Sequence, residues 1–436
     1  MRDNLIARRR SRPAVIVAFA LASTVQSAAA QTLDFATAIR IAATTAPTVE
    51  AAEQRASASA SAARAAGQLP DPTLAVAIDN LPLDGDDAFS VSRDFMTMRR
   101  VGIAQALPSR SRRAAVRSVA EDEAAVARVQ ITRAAQAAAR EVAAAWTSRH
   151  GTEAQLALVD ALAAENVLLT QATQAQFAAG GGSAADLTLP REEALTIESL
   201  RDELTARRRT AIARLRRWLG ALADLPLQGD PPPFEAPGER LPIALLQHPD
   251  VRELDARAEL AEARIAEARA ARNPDWGIAL DYQQRGPAFS NMVSVQVTVD
   301  LRLFQAVRQQ PLIDARRNEL AAVTAGRDAI LAEHAERLES ALAEIERLRR
   351  ARERQRDIAV PLAHQRSELA ASAWRARRGS LQDWIAARRS EITSRMQAIE
   401  LDTAWFTAVQ EIHFAYTTTV RGSALDAPAR GDEVLP

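Results

Sequence analysis

Two stretches of the chain, APTVEAAEQRASASASAARAAGQLPDPTLAVAID at 46–79 and HPDVRELDARAELAEARIAEARAARNPDWGIALD at 248–281, follow one pattern. Prolines and an aspartate match at a constant offset of 202 residues: Pro47 with Pro249, Pro72 with Pro274, and Asp79 with Asp281. Self-similarity at a fixed offset is typical of a duplicated architecture. Each half is predicted to run helix, strand, loop, strand, very long helix, turn and helix.

A Gly-Ser-x-x-Asp phrase ends the long helical stretch of both halves, as GGSAADL at 181–187 and RGSLQDW at 378–384. In each phrase the serine is a predicted N-cap, and the aspartate three residues later completes a capping-box-like start to the returning helix. The glycine before the serine allows the chain to reverse. These positions are Gly182, Ser183 and Asp186 in the first half and Gly379, Ser380 and Asp383 in the second.

The long helices are predicted over about 109–178 and 311–377. At 1.5 Å per residue each would be on the order of 100 Å long, which favours an elongated, coiled-coil-like assembly over a compact domain. A heptad stripe of small residues in the shorter helix of each half allows close packing. Pro361 and the His150-Gly151 pair predict local bends.

Two pairs of strands are predicted between these helices. Val293, Val295, Val297 and Val299 alternate with polar residues, and the other three strands alternate similarly. With its flanks each strand reaches about nine to eleven residues, enough to span a bilayer when tilted. Strands in lipid cannot leave edges unpaired, and four are too few to close a barrel, so several chains would share one. Soluble hairpins are the alternative.

The first thirty residues have the pattern of a secretory signal peptide, with a basic run at 8–12, an apolar run at 14–22 and a small-residue site that predicts cleavage after Ala30. A membrane anchor is the alternative, but it needs roughly 20 apolar residues. The chain has no cysteine, which excludes disulfides, thiolate metal sites and a lipidated N-terminal cysteine. We expect an exported protein.

The charges balance, with 55 Lys and Arg against 55 Asp and Glu, so no overall field attracts nucleic acid. No catalytic constellation is present, and the five histidines show no metal-ligand spacing. Met96 and Met98 are close enough in sequence to touch a soft metal, but a structural role is favoured. The sequence therefore predicts no enzyme, no cofactor, no metal site and no nucleic-acid partner.

Several segments resemble the TolC-type outer-membrane efflux proteins, the outer membrane factors. They are TLDFATAIRIAATTAPTVEAA at 32–52, QLPDPTLAVAIDN at 68–80, RRVGIAQALP at 99–108, ARLRRWLG at 213–220 and the two Gly-Ser-x-x-Asp turns. The resemblance covers essentially the whole chain after the signal peptide. PDPTLAVAIDN and VGIAQALP are most similar to the heavy-metal, CzcC-like branch.

The resemblance implies a mainly α fold with a small β part. A homotrimer would share a twelve-stranded β-barrel in the outer membrane of a Gram-negative bacterium and extend a helical barrel of long antiparallel hairpins into the periplasm. We expect one repeat over 31–240 and a second over 241–422, with an equatorial belt that includes 222–247 and a flexible tail at 423–436. The barrel would contact outer-membrane lipid.

The family also implies a function as the exit duct of a tripartite efflux pump, with a periplasmic adaptor (membrane fusion) protein and an inner-membrane transporter of the resistance-nodulation-division type as partners. Heavy-metal cations are a possible cargo. Two alternatives share parts of this pattern: the duct of a type I protein secretion system, and a periplasmic coiled-coil adaptor. An adaptor gives no reason for duplicated amphipathic strands.

In this family the hairpin turns form the periplasmic tip, where an aspartate resembling Asp383 narrows the pore. A ring of such carboxylates would repel anions and collect cations. This chain departs from the family in Arg377, Arg378 and Trp384 at the second turn, and in Pro190 near the first. The candidate tip residues are Gly182, Ser183, Asp186, Arg377, Arg378, Gly379, Ser380, Asp383 and Trp384.

Overall fold

The computed structural model describes residues 32–234 and 241–416. The predicted signal peptide and the C-terminal tail lie outside the described residues, as do residues 235–240 of the predicted equatorial segment.

The described part of the first half contains four helices, a 3-10 turn at each end of the fourth, and four strands. They are β1 (Leu33–Asp34), α1 (Phe35–Thr45), α2 (Pro47–Ala65), β2 (Thr73–Asp79), β3 (Met98–Leu107), α3 (Arg110–Ala178), a 3-10 turn (Ala184–Leu187), α4 (Leu189–Leu219), a second 3-10 turn (Gly220–Asp224) and β4 (Leu227–Gln228).

The second half repeats this order with a divided long helix. Its elements are α5 (Leu241–Leu246), α6 (Pro249–Ala270), β5 (Trp276–Gln284), β6 (Met292–Val299), α7 (Gln305–Arg354), a π-helical turn (Gln355–Ala359), α8 (Val360–Arg375) and α9 (Leu381–Tyr416). The predicted mainly α fold with a duplicated pair of strands is confirmed.

Alanine lines the main core, where α1 lies against the middle of α3. Ala38, Ala42, Ala138 and Ala139 are fully buried, and their small side chains let the two helices approach closely. Trp146 is the largest fully buried side chain of this core, and its indole N–H donates to the carbonyl of Leu33 at 3.2 Å. This bond gives the buried indole N–H a hydrogen-bond partner, which it would otherwise lack.

A short parallel pairing of β1 with β4 joins the start of the described chain to the segment after α4. Leu33 faces Leu227 across it, and both pack on the alanine-lined core. The sequence analysis does not predict this pairing, because two-residue strands carry no periodicity.

The predicted bend at His150-Gly151 is not a helix break, since α3 runs through it as one 69-residue helix. Gly151 instead permits contact between helices. A Cβ atom placed there would lie 2.1 Å from the Thr403 hydroxyl oxygen on α9. The missing side chain therefore lets α3 and α9 touch.

The other predicted bend coincides with a local irregularity. A π-helical turn occupies 355–359, directly before Pro361 in the first turn of α8. Proline cannot donate a backbone hydrogen bond, and π turns are a recognised way to accommodate such a defect. The long helix also begins earlier than predicted, because Gln305 starts it and Pro311 lies inside its second turn.

The main sheet has four antiparallel strands in the order β2-β3-β5-β6, so its centre joins the two halves of the chain. Leu74 faces Ile103, which faces Leu280, which faces Val295. All four are at least 49% exposed in the single chain. Because side chains alternate between the faces of a sheet, one whole face is apolar and uncovered.

The opposite face of the sheet is small and polar. Arg100 forms ion pairs there with Asp79 at 2.8 Å and with Asp281 at 3.3 Å, so the two aspartates that match across the duplication meet at one guanidinium. Gly102 makes room for this contact, since a Cβ there would lie 1.9 Å from a carboxylate oxygen of Asp281.

Asp275 joins the sheet to the long helix α3. Its carboxylate accepts the backbone N–H of Ser109, the N-cap of α3, at 3.0 Å and pairs with Arg302 at 3.1 Å and with Arg112. This arrangement ties the start of α3 to the ends of β5 and β6. Among the described residues, no helix is both long and apolar enough to cross a bilayer.

We expect Gly151→Ala to lower the apparent melting temperature of the purified protein, because the added methyl group collides with Thr403. Overpacking of this kind costs about 1–3 kcal/mol. Adding Thr403→Ala should recover most of the loss. Gly326→Ala is the control, since Gly326 lies inside α7 with open space around its Cβ direction and should stabilise by about 0.5–1 kcal/mol. Equal effects of the two glycine substitutions would contradict the packing role.

Candidate functional site

The first hairpin turn, between α3 and α4, has the predicted capping box. The backbone N–H of Ser183 donates to the Asp186 carboxylate at 2.7 Å, and the backbone N–H of Asp186 donates to the Ser183 hydroxyl at 3.3 Å. Gly180 and Gly182 have φ angles of +76° and +83°, a conformation that favours glycine. The predicted role of Gly182 in reversing the chain is confirmed.

The second hairpin turn, between α8 and α9, reverses by a different route. The backbone N–H of Asp383 donates to the Ser380 hydroxyl at 3.0 Å, and that hydroxyl donates to the Asp383 carboxylate at 2.7 Å. Gly379 was predicted to allow the chain to reverse, but the residue with a left-handed backbone is Arg377, with φ +58°. Gly379 is needed for space, because a Cβ there would lie 3.0 Å from that of Ala373.

The two turns lie side by side. The rings of Trp374 and Trp384 stack with centroids 4.8 Å apart, and both pack against a small cluster formed by Leu169, Leu381 and Ile385. Trp384, one of the residues that depart from the family, thus belongs to the packing between hairpins. The Arg377 guanidinium points toward the first turn, 3.8 Å from where a Cβ of Gly181 would be.

Two ion pairs that the sequence analysis missed join the hairpins near the tip. Arg389 of α9 pairs with Glu193 of α4, whose side chain is buried, and Arg388 pairs with Glu165 of α3. No sequence signal identifies these partners, since each pair is separated by about two hundred residues. Removing one member of the Arg389–Glu193 pair would leave a buried carboxylate uncompensated.

Pro190, another departure from the family, lies in the first turn of α4, where a proline is tolerated. Its carbonyl accepts a hydrogen bond from the side-chain amide of Asn166 at 2.8 Å.

The two aspartates at the tip cap helices within the single chain. Asp186 and Asp383 each bind the serine of their own turn, and among the described residues no ion pair within the chain joins either to Arg377 or Arg378. Arg377, Arg378 and Asp383 are exposed and available to a neighbouring copy. A role in gating remains a prediction.

A cluster of metal-ligating side chains, which the sequence did not predict, lies elsewhere in the structure. His248, Asp250 and His334 lie close enough for one ligand atom of each to sit within 4.8 Å of the others. His334 is far along the chain from the other two, so no local spacing could reveal the cluster. It lies on α6 and α7, away from the hairpin turns.

The fold is similar to that of several solved membrane proteins. A membrane protein from Pseudomonas aeruginosa superposes with a TM-score of 0.75 at 19% identity, covering 97% of this chain and 99% of that one. CusC, studied for its transmembrane channel formation, gives a TM-score of 0.74 at 18% identity over 94% of this chain and 99% of its own. The Neisseria gonorrhoeae MtrE outer membrane channel, in its open state, gives a TM-score of 0.71 at 16% identity. The match covers 94% of this chain and 97% of that one.

The fold that these comparisons define is that of outer-membrane channel proteins, and the predicted TolC-type architecture is confirmed at this level. No family model matches the sequence, and the comparison with curated proteins finds no match.

We expect Ser183→Ala to loosen the first turn after the hairpin, because the side-chain acceptor for the Asp186 N–H is lost. The cost is about 1 kcal/mol. Hydrogen exchange should quicken at 184–188 and stay unchanged in the middle of α4. Ser199→Ala is the matched control: its hydroxyl bonds only the Leu195 carbonyl inside α4, so exchange should not quicken there.

Proposed function

We propose that three copies of this chain form a channel in the outer membrane of a Gram-negative bacterium, the exit duct of a tripartite efflux pump. The observation that carries the proposal is the four-stranded sheet, whose apolar face is exposed and whose outer strands β2 and β6 each leave one edge unpaired among the described residues.

The open edges argue for a shared barrel. Backbone groups left unpaired in lipid cost several kcal/mol each, and four strands cannot close on themselves. Pairing β6 of one copy with β2 of the next satisfies both edges. Three copies give roughly twelve strands, within the range of outer-membrane barrels.

The two faces of the sheet argue for its orientation in this barrel. The apolar face, with Leu74 and Val295, would contact lipid, and the polar face, with Arg100 and Asp281, would line the lumen. The long helices would continue the lumen as a duct through which cargo passes without chemistry, so no enzymatic role is proposed.

The position of the hairpin turns argues for the partners. Helix α3 begins beside the sheet and has 69 residues, which places the turns about 100 Å from the membrane strands. We propose that this tip meets a periplasmic adaptor protein coupled to an inner-membrane transporter of the resistance-nodulation-division type. The cargo proposed from the sequence resemblance is heavy-metal cations.

The experiment for the channel is fractionation of a Gram-negative host that expresses the chain, followed by cross-linking and recordings in planar bilayers. A cross-linked trimer in the outer membrane that conducts ions is the expected result. A soluble periplasmic monomer would contradict the channel and favour an adaptor. Cargo is tested separately, by comparing tolerance to zinc, cobalt and cadmium with tolerance to organic toxicants when the chain is expressed with its genomic neighbours.

We expect Val295→Lys to reduce the trimer in the outer membrane, because the charge would enter the lipid-facing surface at a cost of about 2–4 kcal/mol near the midplane. Val297→Lys should act similarly. Gln296→Lys and Thr298→Lys, on the opposite face of the same strand, are the controls and should assemble normally. Equal losses for both faces would show that the assigned orientation is wrong.

We expect the double variant Asp383→Ala, Arg378→Ala to raise the conductance of the isolated channel and weaken its cation preference, with trimer yield unchanged. The exposed charges would latch neighbouring hairpins, each pair contributing about 0–1 kcal/mol but repeated around the ring. Arg366→Ala with Glu368→Ala removes the same charges from exposed positions on α8 and is the control. Conductance and selectivity like those of the unmodified channel would leave Asp383 with its capping role alone.

A further inference from the structure

The helix α6 begins with a cluster of metal-ligating side chains that no part of the proposed channel function uses. His248 is the N-cap of α6, Asp250 lies in its first turn, and His334 reaches them from α7. Both histidines are more than nine-tenths buried. Two buried imidazoles and one carboxylate are thus brought together, and all three are side-chain types that bind transition metals.

We propose that His248, Asp250 and His334 bind a divalent transition-metal ion of the zinc class. This site does not rest on the proposed transport function, because its ligands and geometry belong to one chain. Two imidazoles and a carboxylate are ligands that zinc accepts, whereas magnesium and calcium prefer oxygen alone.

Two of the distances are close to those around a tetrahedral ion. The Asp250 Oδ2 atom lies 3.3 Å from His334 Nε2 and 3.7 Å from His248 Nδ1. Zinc bonds of about 2.0–2.1 Å to nitrogen and oxygen place neighbouring ligand atoms about 3.3–3.4 Å apart. The ligand atoms of the cluster lie within 4.8 Å of one another, so the side chains would have to draw together by up to about 1.4 Å when the ion binds.

Hydrogen bonds with Tyr416 orient the ring of His334 so that Nε2 faces the cluster. The Tyr416 hydroxyl donates to the His334 backbone carbonyl at 3.3 Å, and its oxygen lies 3.3 Å from His334 Nδ1. With a metal bound, Nε2 would be the ligand atom and Nδ1 would carry the proton, which it would donate to the Tyr416 oxygen. Such outer partners fix the tautomer and orientation of metal-bound histidines.

His248 takes part in the cluster through the ring nitrogen that also caps α6. Its Nδ1 lone pair accepts the backbone N–H of Asp250 at 3.1 Å, so ligation through this nitrogen would replace that hydrogen bond.

Arg133 and the helix N-terminus both oppose a cation at this position. Arg133 lies 2.6 Å from Asp250 Oδ1, whereas Oδ2 of the same carboxylate faces the histidines. The guanidinium also pairs with buried Glu253 at 3.1 Å, so its charge is shared. The N-terminus of α6 disfavours a cation slightly, an effect small beside direct ligation.

A cavity borders the cluster at His248 and would supply water as a fourth ligand. This cavity of about 500 Å³ is lined by His248, Pro249 and Tyr416 and continues toward Gln136 of α3. Three protein ligands and one exchangeable position are typical of accessible zinc sites. A bound ion would tie α6 to α7, and through Tyr416 to the C-terminal end of α9.

The test uses the purified full-length protein with an affinity tag that contains no histidine, stripped with EDTA and titrated with zinc chloride. We expect about one zinc ion per chain, a higher melting temperature with zinc, and visible absorption of the cobalt form at tetrahedral intensity. Tyr416→Phe should weaken binding roughly tenfold, because it disturbs only the orientation of His334.

His248→Asn is the decisive variant, since asparagine keeps the helix N-cap while the imidazole is lost. It should assemble normally yet lose the zinc-dependent rise in melting temperature and the cobalt absorption. His364→Gln removes a histidine that pairs with Glu391 near the tip, and it should bind zinc like the unmodified chain. Zinc uptake by His248→Asn equal to that of the unmodified chain, or no uptake by either, would overturn the proposal.

Discussion

A four-stranded sheet with one apolar face and two open edges is not a stable end state for a single chain in water. The edges expose backbone donors and acceptors, and the apolar face exposes side chains such as Leu74 and Val295. The proposed channel solves both problems at once, since its copies would pair edge to edge and turn their apolar faces toward lipid. The long helices and their turns are positioned by this requirement, since α3 starts at the sheet through the Asp275 contact with Ser109.

Small side chains line the contacts between the long helices. The alanines of α1 and α3, and Gly151 against Thr403, let long helices touch without large side chains between them. Such contacts bury little area per residue, but they extend over many turns. Larger side chains fix the positions of helices at a few points. Trp146 does so in the core, and the Trp374–Trp384 stack does so at the tip.

Local signals allowed the fold to be predicted. The repeated prolines, the alternation in β6 and the serine caps at Ser183 and Ser380 act over a few residues, and the structure confirms them. The sequence could not reveal contacts between distant segments. Gly151 predicted only a local bend, because its contact with Thr403 on α9 cannot be read from the sequence, and the left-handed Arg377 carries no composition signal. The same reason hid the histidine cluster, whose members meet only when α6 and α7 pack.

The pairing of β3 with β5 also constrains the order of folding. It joins Ile103 to Leu280, so the centre of the sheet combines residues from both halves of the chain. Pairings this distant form late, because a long loop must close first. A chain emerging during export would present only the β2–β3 hairpin, and an isolated hairpin is at best marginally stable. The apolar face is thus completed only after the second half has arrived, so the continuous aggregation-prone surface does not exist while the chain is still incomplete.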